Sequence, residues 1–303
     1  MDFDAIHVLN PDDNTYTTDG QNDLVVALGG SDIVAALGGN DYLFGNQGND
    51  LLSGNGGEDI LRGGQQDDWL LGGDGNDVMT GDLDNDVVAG GNGNDFIYGN
   101  QGNDQLFGNS GRDNIYGGQN NDLIRGGRDS DRIFGNLGDD TLSGDLGKDT
   151  LQGGLGSDRF IIGVDLGGMS VEEADVINDF TDGVDSIEIA GNIDADDIEI
   201  SQGTGEYSED TVIRSRGSSE YFAVFKGIDS SVIDGDDFVN LSNVDPSPTP
   251  DPSPTPDPSP TPDPSPTPDP ASLAFDTANY SVSEDSGNAT VTVTRTGGSD
   301  MVK

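Results

Sequence analysis

Gly72-Gly73-Asp74-Gly75-Asn76-Asp77-Val78-Met79-Thr80 and, two copies on, Gly90-Gly91-Asn92-Gly93-Asn94-Asp95-Phe96-Ile97-Tyr98 carry one nine-residue pattern. Six small or polar residues end in Asp, and three β-type residues follow with a large apolar one in the middle. Outward from this stretch, aspartate returns every ninth residue without a slip: Asp23, Asp32, Asp41, Asp50, Asp59, Asp68, Asp77, Asp86, Asp95, Asp104, Asp113, Asp122, Asp131, Asp140, Asp149 and Asp158. Two residues after each stands an apolar side chain, from Val25 and Val34 through Met79 and Ile97 to Leu151 and Phe160. A fixed period of this kind means one structural unit stacked many times.

Positions one to six read as a turn, because Gly and Asn accept positive φ. Positions seven to nine read as a short strand whose central residue is buried, since successive side chains point to opposite faces. Position one is Gly in every copy from Gly45 onward, and position four is Gly in eleven of the sixteen. Two copies make one coil, so residues 18–161 are expected to form an all-β parallel solenoid of about eight coils. At ~4.8 Å per coil the stack is roughly 38 Å long. One side chain per strand makes a thin core, too little to hold the fold alone. A carboxylate repeated inside a glycine-rich turn points to a hard cation, because Ca²⁺ takes six to eight oxygens in flexible geometry.

The pattern G-G-x-G-x-D-x-U-x resembles the calcium-binding nonapeptide of the RTX proteins, a family of secreted bacterial proteins with a parallel β-roll. The resemblance implies Ca²⁺ as the cofactor, all sixteen aspartates as metal ligands, and pairing of each with the Asp 18 residues on, as Asp77 with Asp95. It also implies export through a type I secretion channel, with folding outside the cell on meeting calcium. Eight turns per side leave seven gaps per side, hence up to fourteen ions, and -46 + 28 = -18 for the filled chain. Mg²⁺ demands a tighter octahedron, and zinc prefers N and S ligands.

Some copies depart from the pattern. The first three open with Thr18-Asp19, Ala27-Leu28 and Ala36-Leu37 in place of Gly-Gly. Arg112 and Lys148 stand before the Asp, and Gln21, Gln66, Asp84, Asn120 and Asp129 replace the position-four Gly. Fewer than fourteen strongly filled sites are therefore expected. Residues 1–17 read as an N-terminal cap, in which Leu9 to Thr17 is a degenerate copy with Asn14 in the Asp slot and Tyr16 in the apolar slot.

With 58 acids against 12 Lys and Arg, the formal net charge is -46, and only 31% of residues are hydrophobic. Such a chain repels itself and by composition approaches a disordered polyanion. The balance excludes nucleic acid, whose phosphates need basic residues. The absence of cysteine excludes disulfides and thiolate metal sites. His7 is the single histidine, so no Ser/His/Asp arrangement forms, and Gly-x-Gly without a following helix or Walker lysine disfavours phosphate binding. The chain is read as no enzyme. Residues 1–7 show no basic start or apolar run, so no cleavable signal peptide is expected, and no stretch nears the ~20 apolar residues of a membrane span.

Residues 162–243 are expected to form a β-rich cap with strand runs at Asp185, Asp197, Thr211 and Tyr221. A solenoid needs such a cover over its last edge. The stretch from Asp175 to Ile187 resembles the closing segment after RTX rolls, with Asp179, Asp182 and Asp185 as candidates for one more calcium. Residues 244–270 carry four copies of Asp-Pro-Ser-Pro-Thr-Pro, an extended polyproline spacer of roughly 80 Å. Residues 271–303 resemble the opening strands of a Calx-beta β-sandwich, with Glu284 and Asp285 at acidic positions of that motif. They are too short for a stable sandwich, so the sequence is read as a fragment or truncated product. Tyr98, Tyr116 and Phe134 share position nine, with Phe96 beside them, as cross-coil packing or as a strip for a glycan or another roll.

The main reading is a secreted, extracellular bacterial calcium-binding β-roll that folds on binding. The alternatives are an adhesin or surface-layer component, with cell-surface polysaccharide or other surface proteins as partners, and the non-catalytic part of a secreted hydrolase.

Overall fold

The computed structural model describes residues 3–163, 166–191, 193, 197–218 and 220–239, and the backbone of the strands at 282–284 and 289–291. The nine-residue period becomes two sheets facing each other across the core. Odd copies supply the parallel part of a 13-stranded sheet and even copies a 10-stranded one. Neighbouring strands are 18 residues apart in register, with Met79 opposite Ile97 and Ile97 opposite Ile115. All sixteen position-eight side chains are at most 1% exposed and line one continuous core. Position seven faces out, leaving Trp69 and Phe96 exposed.

The strands are longer than three residues. From Tyr42–Gln47 to Thr150–Leu155 each runs six residues, from position seven through position three of the next copy. Identical backbone groups meet one coil away, as Asn46 opposite Gly64 and Gln47 opposite Gln65. They pair there rather than with water, and the turn proper shrinks to positions four to six.

One rung is added at each end of the eight coils. Ala5–Val8 lies along Asp23–Val26 with His7 opposite Val25, and Thr15–Thr17 lies along Ile33–Ala35 with Tyr16 opposite Val34. The Tyr16 hydroxyl and His7 Nδ1 are 2.6 Å apart, so a polar pair ends the apolar column. At the far end Asp175–Ile177 pairs with Thr150–Leu155, and Ser186–Ala190 with Arg159–Gly163.

All four runs expected after the roll are strands. Tyr221–Phe225 adds to Asp175–Ile177 in parallel, and Thr211–Ser215 and Ile198–Gln202 follow antiparallel. Phe180, Phe222 and Phe225 extend the core into this cap. The last strand of the other sheet is covered by residues 237–239, through Ile187 N–H to the Asp237 carbonyl and Val239 N–H to the Ile187 carbonyl.

Thr255–Lys303 form a second unit. In it Val282–Glu284 pairs antiparallel with Ala289–Val291. The Pro-rich spacer lies outside the described residues, as does most of the Calx-beta resemblance.

Candidate metal centre: two aspartate ladders

Each repeat aspartate sits where the turn re-enters a strand, and this stacks the sixteen into two columns, one per side. Every one is at most 3% exposed. In each column the backbone N–H of one Asp donates to Oδ1 of the Asp 18 residues on, at 2.6–3.0 Å, from Asp23–Asp41 to Asp140–Asp158. The pair Asp77–Asp95 is one such step. Asn14 fills the Asp slot as read, its N–H donating to Asp32 Oδ1 at 2.7 Å.

The second oxygen is different. Oδ2 of every repeat Asp from Asp32 to Asp149 is buried without a hydrogen-bond partner. An ionised oxygen so placed is costly unless a cation or proton meets it. Beside it the position-one glycine leaves a niche. A Cβ on Gly45 would press on Asp50 Oδ2 and on the carbonyl of Gly63, and Gly54, Gly72, Gly90, Gly99, Gly108, Gly117, Gly126 and Gly135 repeat that geometry. The niche is lined by a carboxylate oxygen of one turn and a carbonyl oxygen of the next, donors that suit Ca²⁺. Among the described residues no three acidic or His side chains converge, so backbone carbonyls must supply much of any coordination shell.

Burial, the largest cause throughout, raises the carboxyl pKa values from the ordinary 3.8. Asp50, Asp77, Asp104, Asp113 and Asp140 reach about 6, as does Asp41. Asp59, Asp95, Asp149 and Asp158 reach about 7. Asp68, Asp86, Asp122 and Asp131 reach about 8. In each, an accepted backbone N–H lowers the value in part. These last four belong to the turns of Gln66, Asp84, Asn120 and Asp129, where a side chain replaces the position-four Gly.

In the first three copies Thr18, Ala27 and Ala36 put a Cβ where later turns have none. The Ala27 and Ala36 carbonyls already accept from the Asn46 and Asn55 side-chain amides. Asp23 has His7 Nε2 at 3.5 Å rather than a preceding ladder N–H.

The ladder outlasts the strict period. Asp149 N–H donates to Asp175 Oδ1 and Asp158 N–H to Asp185 Oδ1, both at 2.9 Å, over spacings of 26 and 27 residues. The sequence reading placed these residues in a closing segment and missed them as rungs. Asp175-Val176-Ile177 and Asp185-Ser186-Ile187 repeat the Asp-x-apolar signal that could have found them. Asp185 Oδ2 accepts from Thr181 N–H at 2.7 Å, and Asp179 accepts from Gly153 and Gly154 N–H at 2.9 Å. Backbone donors occupy both carboxylates, which favours a structural role over the further calcium considered there.

Other ties hold the stack without an ion. Position-five side-chain oxygens accept from the backbone one coil on, as Asn76 from Asn94 and Asn94 from Arg112. Arg62 pairs with Asp82, and Arg125 with Asp145 at 2.8–2.9 Å through two nitrogens. Tyr98, Tyr116 and Phe134 stack at 5.1 and 4.9 Å with ring planes within 7° and 6°. Their faces are turned on one another, which favours cross-coil packing over a glycan platform.

A parallel β-roll with buried carboxylate ladders in glycine-rich turns is thus the class of structure in hand. Residues 17–52, 53–88, 80–115, 89–124 and 125–160 match the model of the RTX calcium-binding nonapeptide repeat. The roll is an RTX β-roll, and its repeats are calcium-binding repeats. The chain is similar to the solved structure of the extracellular lipase LipA from Serratia marcescens, at 16% identity over 74% of this chain and 40% of that one, with a TM-score of 0.25. The chain therefore spans less than half of that protein's length. No curated protein matches the chain. Among the described residues no helix is long and apolar enough to cross a membrane.

Proposed function

We propose that the protein is a secreted, non-catalytic calcium-binding module whose roll folds as the ions bind. The line of buried, partnerless Oδ2 atoms carries this reading. The holding groups are the aspartates from Asp50 to Asp140 with the carbonyls of the stacked turns. Thr18, Ala27 and Ala36 close the niches of Asp23, Asp32 and Asp41, and the cap's backbone donors end the ladder. Bound calcium would supply positive charge along each column of a chain of formal charge -46 and join each turn to the next. Ligand binding to the native state alone stabilises it by mass action.

Far-UV circular dichroism of the whole chain, titrated with calcium from chelator, tests this. A cooperative coil-to-β transition in calcium but not magnesium is expected. An unchanged coil signal, or a full β signal in chelator, overturns it. Gly99→Ala, which fills the niche between Asp104 and Gly117, should reduce the bound calcium by one ion per chain. A surface or adhesive role draws support from the Pro-rich repeat and the paired strands beyond it, and recovery of the protein in the cell-surface fraction is its test.

A further inference from the structure

Every basic residue in the turns of the roll lies on one side of it. The turns ending in the column from Asp23 to Asp149 hold Arg112, Arg128 and Lys148, and those ending in the other column, from Asp32 to Asp158, hold no Lys or Arg. The three fall in successive coils, whose aspartates Asp113, Asp131 and Asp149 are consecutive rungs of one ladder. Arg112 and Lys148 share position five with Ser130, which lies between them, ~4.8 Å of stack from each. Within the middle turn Arg128 precedes Ser130 and Arg132 follows it, two residues away on either side. Arg128 lies between Ser110 and Leu146 in the strand before the turn, and Arg132 between Asn114 and Thr150 in the strand after it.

In a chain with 58 acids a cation has many carboxylates to meet, and Arg62, Arg125, Arg159, Arg214 and Lys226 each meet one. Arg112, Arg128 and Arg132 do not. All three are exposed, and among the described residues their side chains have no partner. The cross-strand neighbours of Arg128 and Arg132 are uncharged, and Asp145 of the next turn is taken by Arg125. Lys148 Nζ donates to the Glu172 carbonyl at 2.6 Å, which fixes a fourth cation at the end of the patch. Asp129 in the middle turn and the ladder carboxylates behind it are the acids that remain. Those farther off are screened beyond ~8 Å at physiological ionic strength.

We propose that Arg112, Arg128 and Arg132 form a binding site for an anionic polysaccharide, holding the sulfate or carboxylate groups of the sugar chain. The planar guanidinium fork matches such oxyanions with paired, charge-assisted hydrogen bonds. The inference rests on the calcium-binding reading above, because bound calcium offsets Asp113, Asp131 and Asp149 beneath the patch and leaves it positive. Duplex nucleic acid fits the patch less well. It carries one charge per about 1.7 Å of its axis and would run on from the arginines to Asp74 and Glu58 on the same side of the roll. A polysaccharide with widely spaced charges can set them on the arginines alone.

Isothermal titration of the whole calcium-loaded chain with chondroitin sulfate, which carries both anions, tests the site at about 0.15 M salt. Chondroitin sulfate should bind, and uncharged dextran should not. Arg112→Ser, Arg128→Ser and Arg132→Ser together should weaken binding about tenfold or more. Arg216→Ser, at an exposed arginine of the cap, should leave it unchanged. Ser130→Asp sets a carboxylate among the arginines, in a slot that Asp67 and Asp139 fill elsewhere in the roll. It should weaken binding likewise, and it serves if the triple variant fails to fold. No binding by a chain that has taken up calcium and shows a β signal, or unchanged affinity in the folded variants, overturns the inference alone. Duplex DNA bound as tightly as chondroitin sulfate overturns the choice of partner. A chain that takes up no calcium overturns the proposed function, and the inference with it.

Discussion

The repeat aspartate is asked to be buried, charged and stacked on its own kind. Each neighbour takes one oxygen through a backbone N–H and leaves the other to a cation or a proton. In metal-free protein the folded carboxyls from Asp41 to Asp158 titrate at about 6 to 8, against 3.8 when exposed. The folded state therefore binds more protons than the unfolded one between those values. Stability from this source is fully present below about pH 3.8 and falls as pH rises through 6 to 8. In chelator the β signal should be stronger at pH 5 than at pH 9. With calcium present the trend should weaken or reverse, since the ion needs the carboxylate deprotonated. Circular dichroism at the two pH values in chelator checks this, and a metal-free roll more ordered at pH 9 would refute it.

A single rung of strand and turn buries one large side chain, so rungs depend on ties between coils. Hydrogen-bond ladders, the Arg62–Asp82 and Arg125–Asp145 pairs, and the stacked rings all run along the axis, the direction in which the ions also act. Tyr116 has a ring on either side. Its replacement by Ala should cost about 1–3 kcal/mol in calcium-saturated protein, from two aromatic contacts of ~0.5–1.5 kcal/mol each. Arg125→Ala should cost about 1 kcal/mol or less, because the pair is partly solvated. Denaturant midpoints in excess calcium measure both, and an Arg125 effect larger than that of Tyr116 would reverse the ranking.

The roll as a whole is a nearly one-dimensional object whose ends are its weak points. The N-terminal end is finished by a degenerate rung carrying His7, Tyr16 and Asn14. The other end is finished by a cap that continues both sheets and buries Phe180, Phe222 and Phe225. Ending the chain after Gly163 would uncover two sheet edges and the end of the core, and exposed strand edges associate. Such a chain in calcium should elute as oligomers and unfold at lower temperature than the whole chain. A monomeric truncated roll of unchanged midpoint would show the cap to be dispensable.

The nine-residue period by itself determined the all-β roll, its 18-residue register, the buried column from Val25 to Phe160 and the columns of aspartate. It could do so because period, side-chain alternation and turn chemistry are local properties. Three features needed tertiary structure. Strands of six residues arise because stacked turn backbones find partners only in neighbouring coils. Asp175 and Asp185 join the ladders across irregular spacings, because register in space is set by strand pairing rather than by distance along the chain. The departures at position four looked like defects of a site. Four of the five, Gln66, Asp84, Asn120 and Asp129, take a left-handed φ of 73–74°, at a position where a Cβ in the glycine-turn conformation would meet the carbonyl 18 residues back, a contact that no reading of one copy contains.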